Sequence, residues 1–141
     1  MAEHERLAQG KIEELQRAAI AATKAAYSPY STVRVGAALL AADGRVFTGC
    51  NVENASYGLT ICAERVAATA AVAAGSRRWR AIVIATNLDE PLMPCGACRQ
   101  FLFEFGDLDV HVVGAGGACL AARLSELLPQ PFGPRDLGQT S

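Results

Sequence analysis

Three thiols have to meet at one point in this chain, and that requirement constrains its fold more than any other feature. Cys62 opens the stretch Cys62-Ala63-Glu64-Arg65, and Cys95 and Cys98 lie in Pro94-Cys95-Gly96-Ala97-Cys98, with Cys62 and Cys95 33 positions apart. Each stretch stands where a helix can begin: Cys62 precedes the alanine-rich run to Ala74, and Pro94-Cys95-Gly96 precedes Ala97 to Phe105. A helix start offers unpaired backbone N–H groups and a partial positive charge of roughly half a unit, which favour a cysteine as thiolate. Two such starts can point at one metal, and the chain between them then has to travel out and back.

Three ligands are too few for a closed structural zinc site, which has four, and they fit a catalytic site that keeps one position for water. Glu64, two residues after Cys62, is placed to act as a general acid and base beside that water. Cys95 and Cys98 are three apart at a helix start, so both sulfurs can reach one ion. A CxxC pair alone also suits a redox pair or two inert core cysteines, but a redox pair leaves Cys62-Ala63-Glu64 without a purpose.

Composition narrows the class. At 141 residues the chain fits one domain, 1–141. Its net charge of -1 does not suggest a nucleic-acid surface, and the one basic cluster, Arg77-Arg78-Trp79-Arg80, is expected to be a solvated turn between a helix and a strand. The apolar share of 51% and mean hydropathy of +0.19 come without any run long enough to span a membrane. So much apolar surface on a small chain is more easily buried if subunits associate. The start, Glu3-His4-Glu5-Arg6, has no signal-peptide pattern, and five cysteines, an odd number, favour a reducing, cytoplasmic setting over a disulfide framework.

Along the chain, Ile12, Leu15, Ala19, Ala22 and Ala26 recur at helical spacing, and Ser28-Pro29-Tyr30-Ser31 ends that helix. Val33 to Leu40, the turn Asp43-Gly44 and Arg45 to Asn51 predict a β-hairpin. Val52 to Ile61 is expected as a loop leading to the helix 62–74. Strands follow at Ala81 to Thr86, Asp109 to Val113 and Ala118 to Ala122, with the second cysteine helix between the first two. A short helix about Leu124 to Leu128 precedes a tail kept irregular by Pro129, Pro131, Gly133 and Pro134. This order predicts an α/β fold, a mixed sheet with helices on its faces.

The chain resembles the small cytidine deaminases that coordinate zinc through three cysteines and assemble as homotetramers. The resemblance rests on Ser28-Pro29-Tyr30-Ser31, Val35-Gly36-Ala37-Ala38, Gly49-Cys50-Asn51-Val52-Glu53-Asn54, Cys62-Ala63-Glu64-Arg65, Pro94-Cys95-Gly96-Ala97-Cys98-Arg99-Gln100 and Glu126-Leu127-Leu128-Pro129. It implies a three-layer α-β-α sandwich with a five-stranded mixed sheet. It also implies one Zn2+ per chain held by Cys62, Cys95 and Cys98, and a proton-transferring Glu64. Arg65 would draw charge from the cysteine sulfurs. Asn51 and Glu53 would bind the ribose hydroxyl, with Tyr57 and Ala63 in the same pocket and Phe132 closing a neighbouring subunit's site. The family usually has phenylalanine where this chain has Val33, the residue that packs against the pyrimidine.

The expected activity is deamination of cytidine and deoxycytidine with release of ammonia, as in pyrimidine salvage. Val33 keeps open a rival substrate, an N4-substituted cytidine or a blasticidin-like nucleoside. A zinc-stabilised interaction module is a second alternative, which would need a fourth protein ligand. Cys50 and Cys119 are expected to be buried and apolar in role, and His4 and His111 are not needed as ligands. No nucleic-acid or membrane partner is expected.

Overall fold

The computed structural model describes residues 6–139, so His4 lies outside the described residues. Helix α1 spans Gln9–Ala22 and runs on into a 3₁₀ turn at Thr23–Ala25. It starts three residues before the apolar stripe and has no side-chain cap at Ala8. Leu15 and Ala19, from that stripe, are its buried residues.

Strands β1 (Val35–Ala41) and β2 (Val46–Cys50) form the expected hairpin. Its turn is closed by the Gly44 N–H on the Ala41 carbonyl, with Gly44 at φ 94, a conformation glycine adopts without penalty. Helix α2 (Ala63–Ala73) and strand β3 (Trp79–Thr86) follow, then α3 (Gly96–Phe103), β4 (Asp109–Val113), β5 (Cys119–Arg123) and the one-turn α4 (Leu124–Leu127). The strands form one sheet in the order β2-β1-β3-β4-β5, with β3 and β4 parallel and the other neighbours antiparallel.

Alternation along the strands sends side chains to two cores. Ala37, Leu39, Ile82, Ile84, Val110 and Val112 pack under α2 and α3, while Ala38, Leu40, Ala81, Val83 and Ala85 pack against Leu15 and Ala19 of α1. The result is the three-layer α-β-α sandwich. Two glycines let the helices come down onto the sheet: a Cβ at Gly36 would overlap the Ala19 carbonyl of α1, and one at Gly49 would overlap the Ala67 amide nitrogen and Ala63 carbonyl of α2.

Three expectations need correction. The Arg77–Arg80 cluster is solvated only in part. Arg77 and Arg78 are exposed, but Trp79 opens β3, is buried, and donates from Nε1 to the Ser76 carbonyl at 3.3 Å, its ring 4.3 Å from that of Phe105. The burial of an indole outweighs the charge of its neighbours. Cys119 is not buried: on β5, an edge strand, its Sγ is exposed and accepts from Gln16 Nε2 at 3.6 Å, and Cys50 is only half-buried. Finally, the tail is ordered at Pro134–Leu137 as a 3₁₀ turn whose N-cap, Gly133, donates its N–H to Asp136 Oδ2 at 2.8 Å. Among the described residues, no helix is long and apolar enough to cross a membrane.

Candidate active site

The three thiols meet. Cys62 is the N-cap of α2 and Cys95 the N-cap of α3, so the two helix starts do converge. Cys98 is one turn into α3 and buried, its amide donating to Cys95 Sγ at 3.4 Å, so a sulfur takes the place of the usual capping oxygen. Cys62 and Cys95 Sγ are 3.8 Å apart, and all three sulfurs lie within 4.8 Å of one another.

That spacing fits zinc. Zn–S bonds of about 2.3 Å in a tetrahedron place neighbouring sulfurs about 3.8 Å apart. No other group of three potential ligands comes together among the described residues, and His111 lies on β4, away from the cluster. With no fourth side chain in the group, the arrangement leaves one position open, which argues against a closed structural site.

The electrostatics suit a thiolate cluster. The Cys62 thiol is held down to about 5, first by the hydrogen bond from Cys98 and then by the Arg65 guanidinium, whose Nη2 is 3.5 Å from its sulfur. Cys98 is pushed up correspondingly, because it is the donor to that thiolate and is buried. Arg65 Nε is buried with no hydrogen-bond partner among the protein atoms. A guanidinium that touches the Cys62 sulfur offers positive charge to a cluster of thiolates, the state that metal binding imposes.

Glu64 is in the first turn of α2 and only 5% exposed. Burial pushes its carboxyl above the usual range and the negative charge of Cys62 adds to that, against its own backbone N–H and the Cys98 thiol, which pull it down. A buried carboxyl that hydrogen-bonds beside the cluster can exchange protons there. Ala63, between Cys62 and Glu64, turns its methyl into the core, so what it can offer a ligand is its backbone N–H at the helix start.

The other half of the site is the chain leading into β1. Beyond the paired strands, two asparagines continue the ladder with their side chains. Asn51, the residue after β2, accepts the Val35 N–H at Oδ1 (2.9 Å) and donates from Nδ2 to the Val33 carbonyl (2.8 Å). Asn87, the residue after β3, accepts the Arg34 N–H at 2.9 Å and donates to the Thr32 carbonyl at 3.0 Å. An amide side chain imitates a peptide group, so residues 32–35 stay clasped on both sides while the main chains of β2 and β3 turn away. One of those chains reaches Cys62 and the other Cys95. Val52 pairs with Ile61 through two backbone hydrogen bonds, each 2.9 Å, which ties the segment carrying Asn51 and Glu53 to the one that leads into Cys62.

Glu53 turns to the same segment, its carboxylate accepting from the Tyr30 and Ser31 amides and from the Ser31 hydroxyl. Tyr30, Ser31, Glu53, Tyr57 and Thr60 line a cavity of about 240 Å³, with the Tyr30 and Tyr57 rings 5.7 Å apart. Val33 is half-buried beside this wall. Phe132 is not part of the cavity: it is exposed, and Gln100 Nε2 of α3 holds its carbonyl at 2.7 Å. Arg99 fastens the same tail, donating to the Pro94 carbonyl at 2.7 Å and the Leu127 carbonyl at 2.9 Å.

Sequence reasoning missed Asn87, and it gave Ser31, Arg99 and Gln100 no task although each stands in a quoted motif. A polar residue immediately after a strand, beside an Asn in the same position of the neighbouring strand, was the available signal.

The model of the cytidine and deoxycytidylate deaminase zinc-binding region matches residues 9–114. A probable cytidine deaminase of Dictyostelium discoideum is 49% identical over 129 residues, 89% of this chain and 88% of the relative. A cytidine deaminase of Mycobacterium tuberculosis is 47% identical over 116 residues, 82% of this chain and 85% of the relative. Among solved structures, that of cytidine deaminase from Burkholderia pseudomallei superposes with a TM-score of 0.82 at 48% identity, covering 85% of this chain and 98% of the other.

Proposed function

The chain belongs to the cytidine and deoxycytidylate deaminase family, and on that premise we propose that it is a zinc-dependent hydrolase that converts cytidine and deoxycytidine to uridine and deoxyuridine with release of ammonia. The observation that carries this is a buried Glu64 in the same helical turn as a three-thiol cluster with an open position. Cys62, Cys95 and Cys98 hold one zinc ion per chain.

When bound, zinc supplies the Lewis acidity that brings the pKa of a water from about 15.7 towards 7. Glu64 does the proton work. It accepts a proton from the water, passes it to ring N3 so that C4 becomes electrophilic, and later carries the second proton to the departing amine. Burial raises its pKa above the usual carboxylate range, which makes it a stronger acceptor of the first proton. Arg65 offsets the negative charge of three thiolates by donating to the sulfurs.

On the substrate side, Asn51 and Glu53 take the ribose hydroxyl. The clasp on residues 33 and 35 uses one Nδ2 hydrogen of Asn51, which leaves the second for a ligand. Tyr57 and the Ala63 amide complete the wall, and Val33 faces the base. Phe132 reaches a neighbour's site in a homotetramer. This is supported by its exposure and by the exposed Tyr27, Tyr30, Val52, Tyr57, Leu59 and Ile61 crowded around the site. The chain works as a single domain, 1–141, in the cytoplasm, a setting supported by five unpaired cysteines.

Ammonia release across cytosine, cytidine, deoxycytidine and N4-substituted cytidines tests the activity. Cytidine and deoxycytidine should be the best substrates. A preference for the substituted compounds would transfer the assignment to a modified nucleoside, and no release from any of them would leave a zinc-stabilised module. Light scattering at micromolar protein tests the assembly, and a fully active monomer would end the role given to Phe132.

A further inference from the structure

Glu53 is held more firmly than a ligand at a strand exit needs to be. Its Oε1 accepts the Tyr30 N–H at 3.0 Å and the Ser31 N–H at 3.2 Å, and its Oε2 accepts the Ser31 hydroxyl. The same hydroxyl oxygen accepts the Val33 N–H at 3.0 Å. One side chain, Ser31, therefore joins the carboxylate at the sugar end to the residue at the base end.

The turn that makes this possible is strained. Thr32, between Ser31 and Val33, has φ 62, an uncommon conformation for a β-branched residue. Such a conformation persists when its surroundings over-determine it, and it gathers at functional sites. Here the surroundings are Glu53 on residues 30 and 31, Asn87 on residue 32 and Ser31 on residue 33. Ser31 is exposed, and its hydroxyl makes two hydrogen bonds, one to Glu53 and one from the Val33 N–H. The Ser31 hydroxyl is also the main cause that keeps Glu53 below the usual carboxylate range, and so ionised.

An ionised carboxylate accepts about four hydrogen bonds and donates none. With three acceptor positions engaged by residues 30 and 31, Glu53 keeps its remaining capacity on Oε2, in the cavity lined by Tyr30, Ser31, Tyr57 and Thr60. A group fixed in this way accepts from a sugar hydroxyl in a single orientation. We infer that Ser31 is a positioning residue of the sugar subsite, locking Glu53 as a one-position acceptor and so setting the affinity for the nucleoside sugar without touching the reacting atoms. The inference rests on the assignment of Glu53 to the sugar.

The experiment compares Ser31→Ala, Ser31→Thr, Glu53→Gln and the Ser31→Ala/Glu53→Gln double variant, each zinc-loaded, on cytidine and its 2′-deoxy and 3′-deoxy analogues. Ser31→Ala should raise KM for cytidine about tenfold, with kcat changed less than about threefold and zinc content unchanged. Ser31→Thr, which keeps the hydroxyl, should restore KM. Preference for the hydroxyl that Glu53 accepts should shrink in Ser31→Ala, and the double variant should be no worse than Glu53→Gln by more than about twofold, since the two act through one contact. Losses that add in the double variant, or a fall in kcat alone, would overturn the inference. So would an unchanged KM in Ser31→Ala while Glu53→Gln raises it. If Glu53→Gln itself leaves KM unchanged, the assignment of Glu53 is what fails. Ser31→Gly deletes the same hydroxyl and gives the comparison independently should Ser31→Ala fold poorly.

Discussion

The two halves of the site are built by opposite means. The thiol corner uses what a helix provides locally: two N-caps, a first-turn sulfur and a first-turn carboxylate, all within three residues of one another in sequence on each helix. The side proposed to take the sugar uses single side chains reaching across the fold, with Asn51, Glu53 and Asn87 closing on residues 30–35 over sequence separations of 16 to 55. The first half is rigid because each helix is packed on the sheet. The second is held by seven side-chain hydrogen bonds, most of them exposed to solvent and so individually weak. Losses at the corner should therefore be large and fall on chemistry or metal, and losses at the clasp should be graded and fall on binding and stability.

Removing a ligand is the severest way to break this contrast. Cys95→Ala and Cys98→Ala should lose zinc and all measurable turnover by metal analysis and assay, while Cys50→Ala and Cys119→Ala keep both; the reverse pattern would overturn the ligand assignment. Glu64→Gln comes next, with kcat lowered by about 10⁴-fold or more and zinc retained, since one carboxyl serves every proton transfer. Near-normal kcat would remove Glu64 from the chemistry.

Asn87→Ala tests the other half. It should keep zinc, lower the unfolding free energy by about 1–2 kcal/mol in denaturant titration and lower kcat/KM about tenfold, mostly through KM. Loss of zinc instead would show that the clasp and the corner are one unit. The smallest effect is expected at Val33, where valine keeps part of the apolar contact of an aromatic ring. Val33→Phe should improve kcat/KM for cytidine up to about tenfold and reduce turnover of N4-substituted analogues. A sharp fall with fold and zinc intact would mean that residue 33 does not face the base.

The same contrast explains what could be read from the sequence. Cys62, Glu64, Cys95 and Cys98 were legible because helix-start chemistry depends on neighbours a few residues away, and the hairpin, β3 and β4 because runs of β-branched and small apolar residues and the Asp43-Gly44 turn are local signals too. Asn87 was not legible, because its partners are backbone groups of Thr32 and Arg34, and any residue carries those. Element ends slipped for related reasons: α1 begins at Gln9 on polar residues without a cap, and Trp79 joins β3 by pairing with Ala41 across a register shift. Both depend on tertiary contact, which periodicity does not encode.

Gly49 gives the thiol corner a property that none of its own residues supplies. Because α2 rests on bare strand backbone there, the height of Cys62 and Glu64 above the sheet is set by the lack of a single carbon atom. A methyl at position 49 would act as a wedge under the first turns of the helix, tilting Cys62 and Glu64 together. Cα chemistry on the far side of the same strand, at Thr48, meets no such limit, since Thr48 is exposed. Two adjacent positions of β2 thus differ in what sequence drift can do to them, one open to solvent and the other a fixed datum from which Cys62 and Glu64 are levelled.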